Sequence, residues 1–371
     1  MKTLAFAVGA FAVVLGACSS SKNNTQADSG ANGSCSAPPA LTQADFCNTC
    51  TVSTSANPAA CVPARPVNAC CAWVQEPQQE ATRSSGLHYF SSPDGSTQPN
   101  LGCLTTPVAL DTPKTITLKG YVKLFSSGND SAGVKVEIFK EGVNGALGDP
   151  IGTAFVTTSD DAKDPPQMPL PTWSSKCPPD GCRLRSYTYE GVPTETPLII
   201  KTSDATGTGN LWSDLYDYNV YIPNTIVDGS NTASYDASAV AATDVNTVAS
   251  AAGGFTIKSD KGVIAGEVHD CGDVRLSGAM VDTDLSHEGP MFYFGDNEAN
   301  PLPDQNRGPE GLGTSKLGLF GALNLPTGTP MRVSAVIRSG GKDVLLGTYT
   351  VQAFPGAISA LSFRGRRPWQ K

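Results

Sequence analysis

One short pattern is written twice along this 371-residue chain. Lys119-Gly120-Tyr121-Val122 returns as Ala265-Gly266-Glu267-Val268, and Gly133-Val134-Lys135-Val136 returns as Gly278-Ala279-Met280-Val281. The turn sequence Val192-Pro193-Thr194-Glu195-Thr196-Pro197 returns as Leu325-Pro326-Thr327-Gly328-Thr329-Pro330. The offsets are 145 or 146, 145 and 133, always in the same order, so a whole domain is duplicated with a change in loop length. Around these motifs apolar and polar residues alternate. Ile116, Leu118, Val122 and Leu124 fall at even positions, followed by Val134, Val136 and Ile138. A period of two predicts strands with one buried face. Tyr187, Tyr189 and Leu198 to Lys201 predict more strands. Met331, Val333, Ala335 and Ile337, then Gly340-Gly341 and Val344 to Val351, predict a tight hairpin. Between the copies, Ala241, Val245, Val248 and Ala252 recur at helical spacing. Asp236 before them and Gly253-Gly254 after them predict the ends of one short helix.

The N-terminal segment reads as an address. Lys2 supplies a positive start, and Leu4 to Gly16 is uncharged and mostly apolar. At about 13 residues it is too short for a hydrocarbon core that needs about 20. It ends in Leu15-Gly16-Ala17-Cys18, which resembles the lipobox of bacterial lipoproteins. That resemblance implies cleavage after residue 17 and acylation of Cys18. Membrane lipid is then the first partner, and Ser19 at the next position favours the outer membrane. Residues 19–34, SSSKNNTQADSGANGS, hold too little apolar material to order themselves and are expected to form a flexible tether.

The chain holds 11 Cys, so removing Cys18 leaves an even ten. Seven lie early, at Cys35, Cys47, Cys50, Cys61, Cys70, Cys71 and Cys103, and three lie late, at Cys177, Cys182 and Cys271. Both groups are odd. If every thiol pairs within the chain, an odd number of bridges joins the groups. A Cys177–Cys182 pair around Pro-Pro-Asp-Gly would leave Cys271 to an early partner. Cys47-x-x-Cys50 with Cys70-Cys71 offers four thiolates for zinc, but adjacent cysteines suit a tetrahedral site poorly and export favours disulfides. Residues 35–108 are therefore expected to be a small module held by cross-links more than by a core.

The runs TLKGYVKLF, AGVKVEIF and YTYEGVPTETPLIIKTS resemble the carboxypeptidase-regulatory-like and transthyretin-like domains. So do GVIAGEVHD, LSGAMVDTD and GLFGALNLPTGTPMRVSAVIRSGG. The resemblance covers roughly residues 114–204 and 262–363. It implies a mainly β protein: two tandem transthyretin-like β-sandwiches preceded by a small disulfide-rich module and a disordered, lipid-anchored tether. The expected division is 1–17 signal peptide, 18–34 lipidated Cys and tether, 35–108 module, 109–232 first sandwich, 233–258 linker with the helix, and 259–371 second sandwich. Such a fold says little about function unless chemistry is grafted onto it.

The search for that chemistry is short. A net charge of −8 argues against a nucleic-acid partner. Three His are present, at His88, His269 and His287, without a zinc-protease, nucleophile-elbow or phosphate-loop motif in its required context. The densest polar stretch offers Asp282, Asp284, His287 and Glu288 as weak candidate metal ligands; no cofactor is expected. Trp212, Tyr216 and Tyr218 form a possible ligand surface, because exposed rings stack on sugars, although closing the core of the first copy is the favoured reading of them. Tyr216, Tyr218 and Val220 are expected on one strand face. Arg364, Arg366, Arg367 and Lys371 make a basic tail of the kind that is usually solvated. These readings lead to a non-enzymatic, lipid-anchored envelope protein with a structural, adhesive or interaction role, whose partner is an envelope protein or polysaccharide. The alternatives are a carbohydrate-binding accessory and an envelope hydrolase or metal enzyme using His269 and His287.

Overall fold

The computed structural model describes residues 99–104, 109–125, 130–159, 161, 184–209, 211–297, 301–308, 311–339, 342–365 and 367. The signal, Cys18, the tether, Cys35, Cys47, Cys50, Cys61, Cys70, Cys71 and the Cys177–Cys182 pair lie outside them. Among the described residues the chain is mainly β, with several sheets and one α-helix, consistent with a β-sandwich class.

The first half contains β1 (Thr115–Leu124), β2 (Val134–Glu141), β3 (Leu147–Val156), β4 (Ser186–Pro193), β5 (Leu198–Asp204) and β6 (Leu215–Val220). Two short strands follow, β7 (Thr232–Ser234) and β8 (Ala237–Ala239), then helix α1 (Ala242–Ala251). The second half contains β9 (Gly262–His269), β10 (Met280–Thr283), β11 (Glu288–Phe294), β12 (Pro303–Asp304), β13 (Leu319–Leu325), β14 (Pro330–Ser339), β15 (Lys342–Gln352) and β16 (Ile358–Arg364).

The duplication reappears as pairing. β1 pairs antiparallel with β4, as β9 does with β13. β2 pairs with β5, as β10 does with β14, and β5 pairs with β6, as β14 does with β15. In each half the glycine-bearing strand also has a parallel neighbour: β7 and β8 beside β1, and β16 beside β9. Residues 232–239, which sequence places at the edge of a linker, thus belong to the first half's sheet.

The halves are not two beads. β16 pairs in parallel with β9 on one side and with β6 on the other. This joins β12-β11-β13-β9-β16-β6-β5-β2-β3 into one nine-stranded sheet. Two small sheets cover it, β4-β1-β7 with β8 on one half and β10-β14-β15 on the other. They lie on opposite faces. Successive strand residues point to opposite sides, and on β5 Leu198 and Ile200 pack with β1 and β4 whereas Ile199 packs with the core under β14 and β15. A third core, with Val263, Phe292, Phe294, Leu323 and Ile358, receives Ala249 of α1 on the remaining face. Strands at such a junction are covered on both sides, and every residue of β6 is buried.

Two local expectations are corrected. Val220 does not share a face with Tyr216 and Tyr218. Asn219 adopts a positive φ of 62°, the register slips between Leu198 and Ile200, and Val220 turns into the first half's core. Asp236 does not cap α1. Its carboxylate accepts the Tyr121 N–H at 2.9 Å and pairs with Lys123 at 2.7 Å, while Ala241 stands at the helix N-cap without a side-chain bond.

Candidate functional site

The shared sheet brings charged residues together where β6, β16 and β9 run side by side. On β6 Leu215 faces the helix-covered core, so Asp217, two residues on, faces the same way. The same parity takes Ile358 and Ala360 to Arg364 on β16, and Val263 and Ala265 to Glu267 and His269 on β9. A polar seam forms at the C-terminal ends of three parallel strands.

Its bonds fall into short groups set side by side. His269 Nε2 lies 2.6 Å from Glu267 Oε2, and Arg275 Nη2 donates to Glu267 Oε1 at 2.8 Å. His269 Nδ1 lies 3.0 Å from Asp273 Oδ1, which also pairs with Arg364. The Tyr235 hydroxyl donates to Asp217 Oδ2 at 3.3 Å, and the Tyr187 hydroxyl donates to the Tyr235 carbonyl at 2.6 Å. Arg367 donates through Nε and Nη2 to the side chain and carbonyl of Asn219, both at 2.9 Å, with its guanidinium 5.5 Å from the Tyr221 ring centre. Tyr221 in turn bonds Glu195.

Two carboxyls in this seam are driven in opposite directions. Burial pushes Asp217 up to about 6, against the pull of Arg364 and the Tyr235 hydroxyl. Burial also opposes ionisation of Glu267, but the bond from His269 and the Arg275 charge outweigh it and draw that carboxyl down to about 2. Burial disfavours charge on His269 as well, yet Asp273 and Glu267 raise its pKa above the usual value. Glu267 and His269 thus form a charge-assisted pair, while Asp217 is poised to hold a proton.

The residues singled out from sequence are placed elsewhere. Trp212, Tyr216 and Tyr218 are 8%, 7% and 2% exposed, so they offer no face for a sugar. Trp212 Nε1 donates to the Ala132 carbonyl at 3.3 Å. Tyr216 stacks on Phe354 with centroids 3.9 Å apart, and the Tyr218 hydroxyl donates to the Gly145 carbonyl at 2.8 Å. The ligand surface read from these rings is therefore corrected to core. Asp282 lies 3.5 Å from His287 Nε2. Asp284 is taken up by Arg332 at 2.8 Å, and Glu288 by Lys258 at 2.8 Å and Asn324 at 2.6 Å. Among the described residues no three His, Cys, Asp or Glu gather as a metal site.

His269 and His287 do not converge. Glu267 faces Leu319 and Glu288 faces Leu323, so the two His-bearing segments meet β13 four residues, or about 13 Å, apart. Cys103 and Cys271 are joined in a disulfide, one bridge between the early and late groups. The seam itself escaped sequence reading. Arg364 and Arg367 read as a solvated tail, and Asp217 was not singled out. The one signal was a charge set inside an otherwise apolar run.

No family model matches the chain, and neither a curated protein nor a solved structure shows significant similarity to it.

Proposed function

We propose that this chain is a lipid-anchored cell-envelope protein acting as a non-enzymatic structural or interaction module, carried on a tether from acylated Cys18. In this reading the body is two transthyretin-like β-sandwiches of the carboxypeptidase-regulatory-like kind, and it sits at the outer membrane. The observation that carries the reading is the nine-stranded sheet running through both halves, which makes them one stiff body. In this reading the tether holds the surface of that body at a distance from a bilayer. The side chains of the seam are tied to one another, which supports a structural role for them.

The test is the N-terminus of the protein made in a bacterial host with an outer membrane. The expected product begins at residue 18, carries diacylglyceryl and acyl mass there, and fractionates with membranes, while Cys18→Ser becomes soluble. A chain with an unmodified Cys18 in the aqueous fraction overturns the proposal. Cross-linking in intact envelopes then identifies the partner, a protein or a polysaccharide.

A further inference from the structure

We propose that the Cys103–Cys271 disulfide is a force shunt, carrying tension from the N-terminal leader straight into the second half so that residues 104–270 bear none of it. Its purpose rests on the anchor proposed above; its mechanism rests on geometry alone. The strand that follows residue 104 is β1, in the first half. Yet residues 99–104 are seated on the second half. The Asn100 N–H donates to Asp270 Oδ2 at 2.8 Å, and the Cys271 N–H donates to the Asn100 carbonyl at 2.9 Å. The other Asp270 oxygen accepts the N–H groups of Gly272 at 2.8 Å and Val274 at 3.0 Å. One carboxylate therefore both shapes the turn that presents Cys271 and receives the incoming chain.

Packing completes the seat. Leu104 is 9% exposed within the second half's core, with Leu101 against it. The two cysteine Cα atoms are 5.7 Å apart, and the bridge closes a separation of 168 residues. The C-terminal end of β16 leaves the sheet against the same sulfur. A Cβ at Gly365 would stand 2.3 Å from Cys103 Sγ, and the Tyr349 hydroxyl holds the Gly365 carbonyl at 2.5 Å.

The mechanical consequence follows from connectivity. Without the bridge, a pull on residue 99 would reach Thr115 and peel β1 from its end, one hydrogen-bonded pair at a time. With the bridge, the covalent line of tension passes from Cys103 to Cys271 and skips residues 104–270. The first half becomes a closed covalent loop outside the line of tension, so its surface keeps one shape whether the leader is slack or taut.

The test stretches the mature chain, without lipid, between handles on its N- and C-termini in a single-molecule instrument. Lipid plays no part, so a failed anchor and a failed shunt are told apart. The oxidised wild type should extend less than the Cys103→Ser/Cys271→Ser variant by about 600 Å, which is 168 residues at up to about 3.6 Å each. Should that variant not fold, a protease site inserted in the exposed loop at residues 205–209 serves instead, with the cysteines intact. Cleavage there should leave the oxidised molecule spanning the handles under load. Equal extension of the two chains, parting of the cut chain under oxidising conditions, or a non-reducing peptide map that places Cys103 or Cys271 in another bridge overturns the proposal.

Discussion

The two halves carry the same glycine in the same place but make different use of it. A Cβ at Gly120 would stand 1.8 Å from the Tyr235 carbonyl oxygen, and one at Gly266 would stand 1.8 Å from that of Leu361. Ring edges close the other side, Tyr187 at 3.1 Å and Phe320 at 3.0 Å. In both, the backbone alongside, at Tyr235 between β7 and β8 and at Leu361 within β16, comes within a distance that only a bare backbone permits. In the first half that neighbour is two pieces of three residues each, β7 and β8. In the second it is the seven-residue β16, long enough to be paired on both sides. The motif sets the close approach, whereas the length of the neighbour decides whether the sheet stops or continues into the other half. The rings differ in kind as well. The Tyr187 hydroxyl reaches the Tyr235 carbonyl and links the first half to the polar seam, while Phe320 packs on Phe363 at 5.9 Å.

The largest effect should separate these two glycines. Gly266→Ala forces β16 away from β9 and should cost about 4 kcal/mol or prevent folding, because a backbone clash cannot relax by a rotamer change. Hydrogen exchange should show β16 and β6 opening together. Gly120→Ala should open residues 232–239 and leave the junction closed. Equal exchange at the junction in both variants would break the comparison.

Next in size is the bridge that ties the leader to the second half. Removing it as Cys103→Ser/Cys271→Ser should lower stability by about 2–4 kcal/mol in denaturant unfolding, the usual gain from closing a long loop.

The seam should show itself in pH dependence. Asp217 is pushed up to about 6 in the folded protein, so folding binds its proton more tightly. Its stabilisation is complete below the unfolded value of about 4 and is lost as pH rises through 6. The loss is up to about 3 kcal/mol, and Asp217→Asn should make that limb shallower in urea titrations between pH 4 and 7, leaving the part that Glu141, raised by burial to about 7, contributes. Glu267, drawn down to about 2, works the other way: its contribution is present above about pH 4.5 and lost as pH falls toward 2. Glu267→Gln should shrink the acid limb, to which Asp204, also drawn down to about 2, contributes as well, and should keep most of the Asp217 limb, which burial sets.

The smallest effect sharpens the comparison at the repeated turn. Glu195 and Gly328 occupy equivalent positions with φ of 52° and 70°. Glu195 tolerates this because its carboxylate accepts the Asn224 N–H at 2.6 Å and bonds Tyr221, whereas Gly328 has nothing within 4 Å of a Cβ. Gly328→Ala should therefore cost about 1 kcal/mol, from backbone strain alone. Thermal unfolding can resolve that.

The candidate site was far less readable in advance than the strands. Alternation at Ile116, Leu118 and Val122 marked a buried face directly, and all three are buried. Parity failed at Val220 because one residue in the left-handed region, Asn219, reverses every face after it. Trp212, Tyr216 and Tyr218 have the composition of a binding surface, and composition does not report what packs on top. Arg364 and Arg367 have the look of a free tail until β16 is seen to lie between β9 and β6.

Taken alone, the amino-acid order determined the cleanly alternating strands, the short helix and the repeated motifs, because period, glycine and proline act within a few residues of the backbone they shape. The parity of its cysteines also required a link between early and late groups if all of them pair, because counting needs no geometry. Only the tertiary structure decided which strand neighbours which, that the two copies share one sheet, and that Cys103 meets Cys271. Those outcomes depend on groups more than a hundred residues apart competing for the same edge, and local sequence holds no record of which competitor wins.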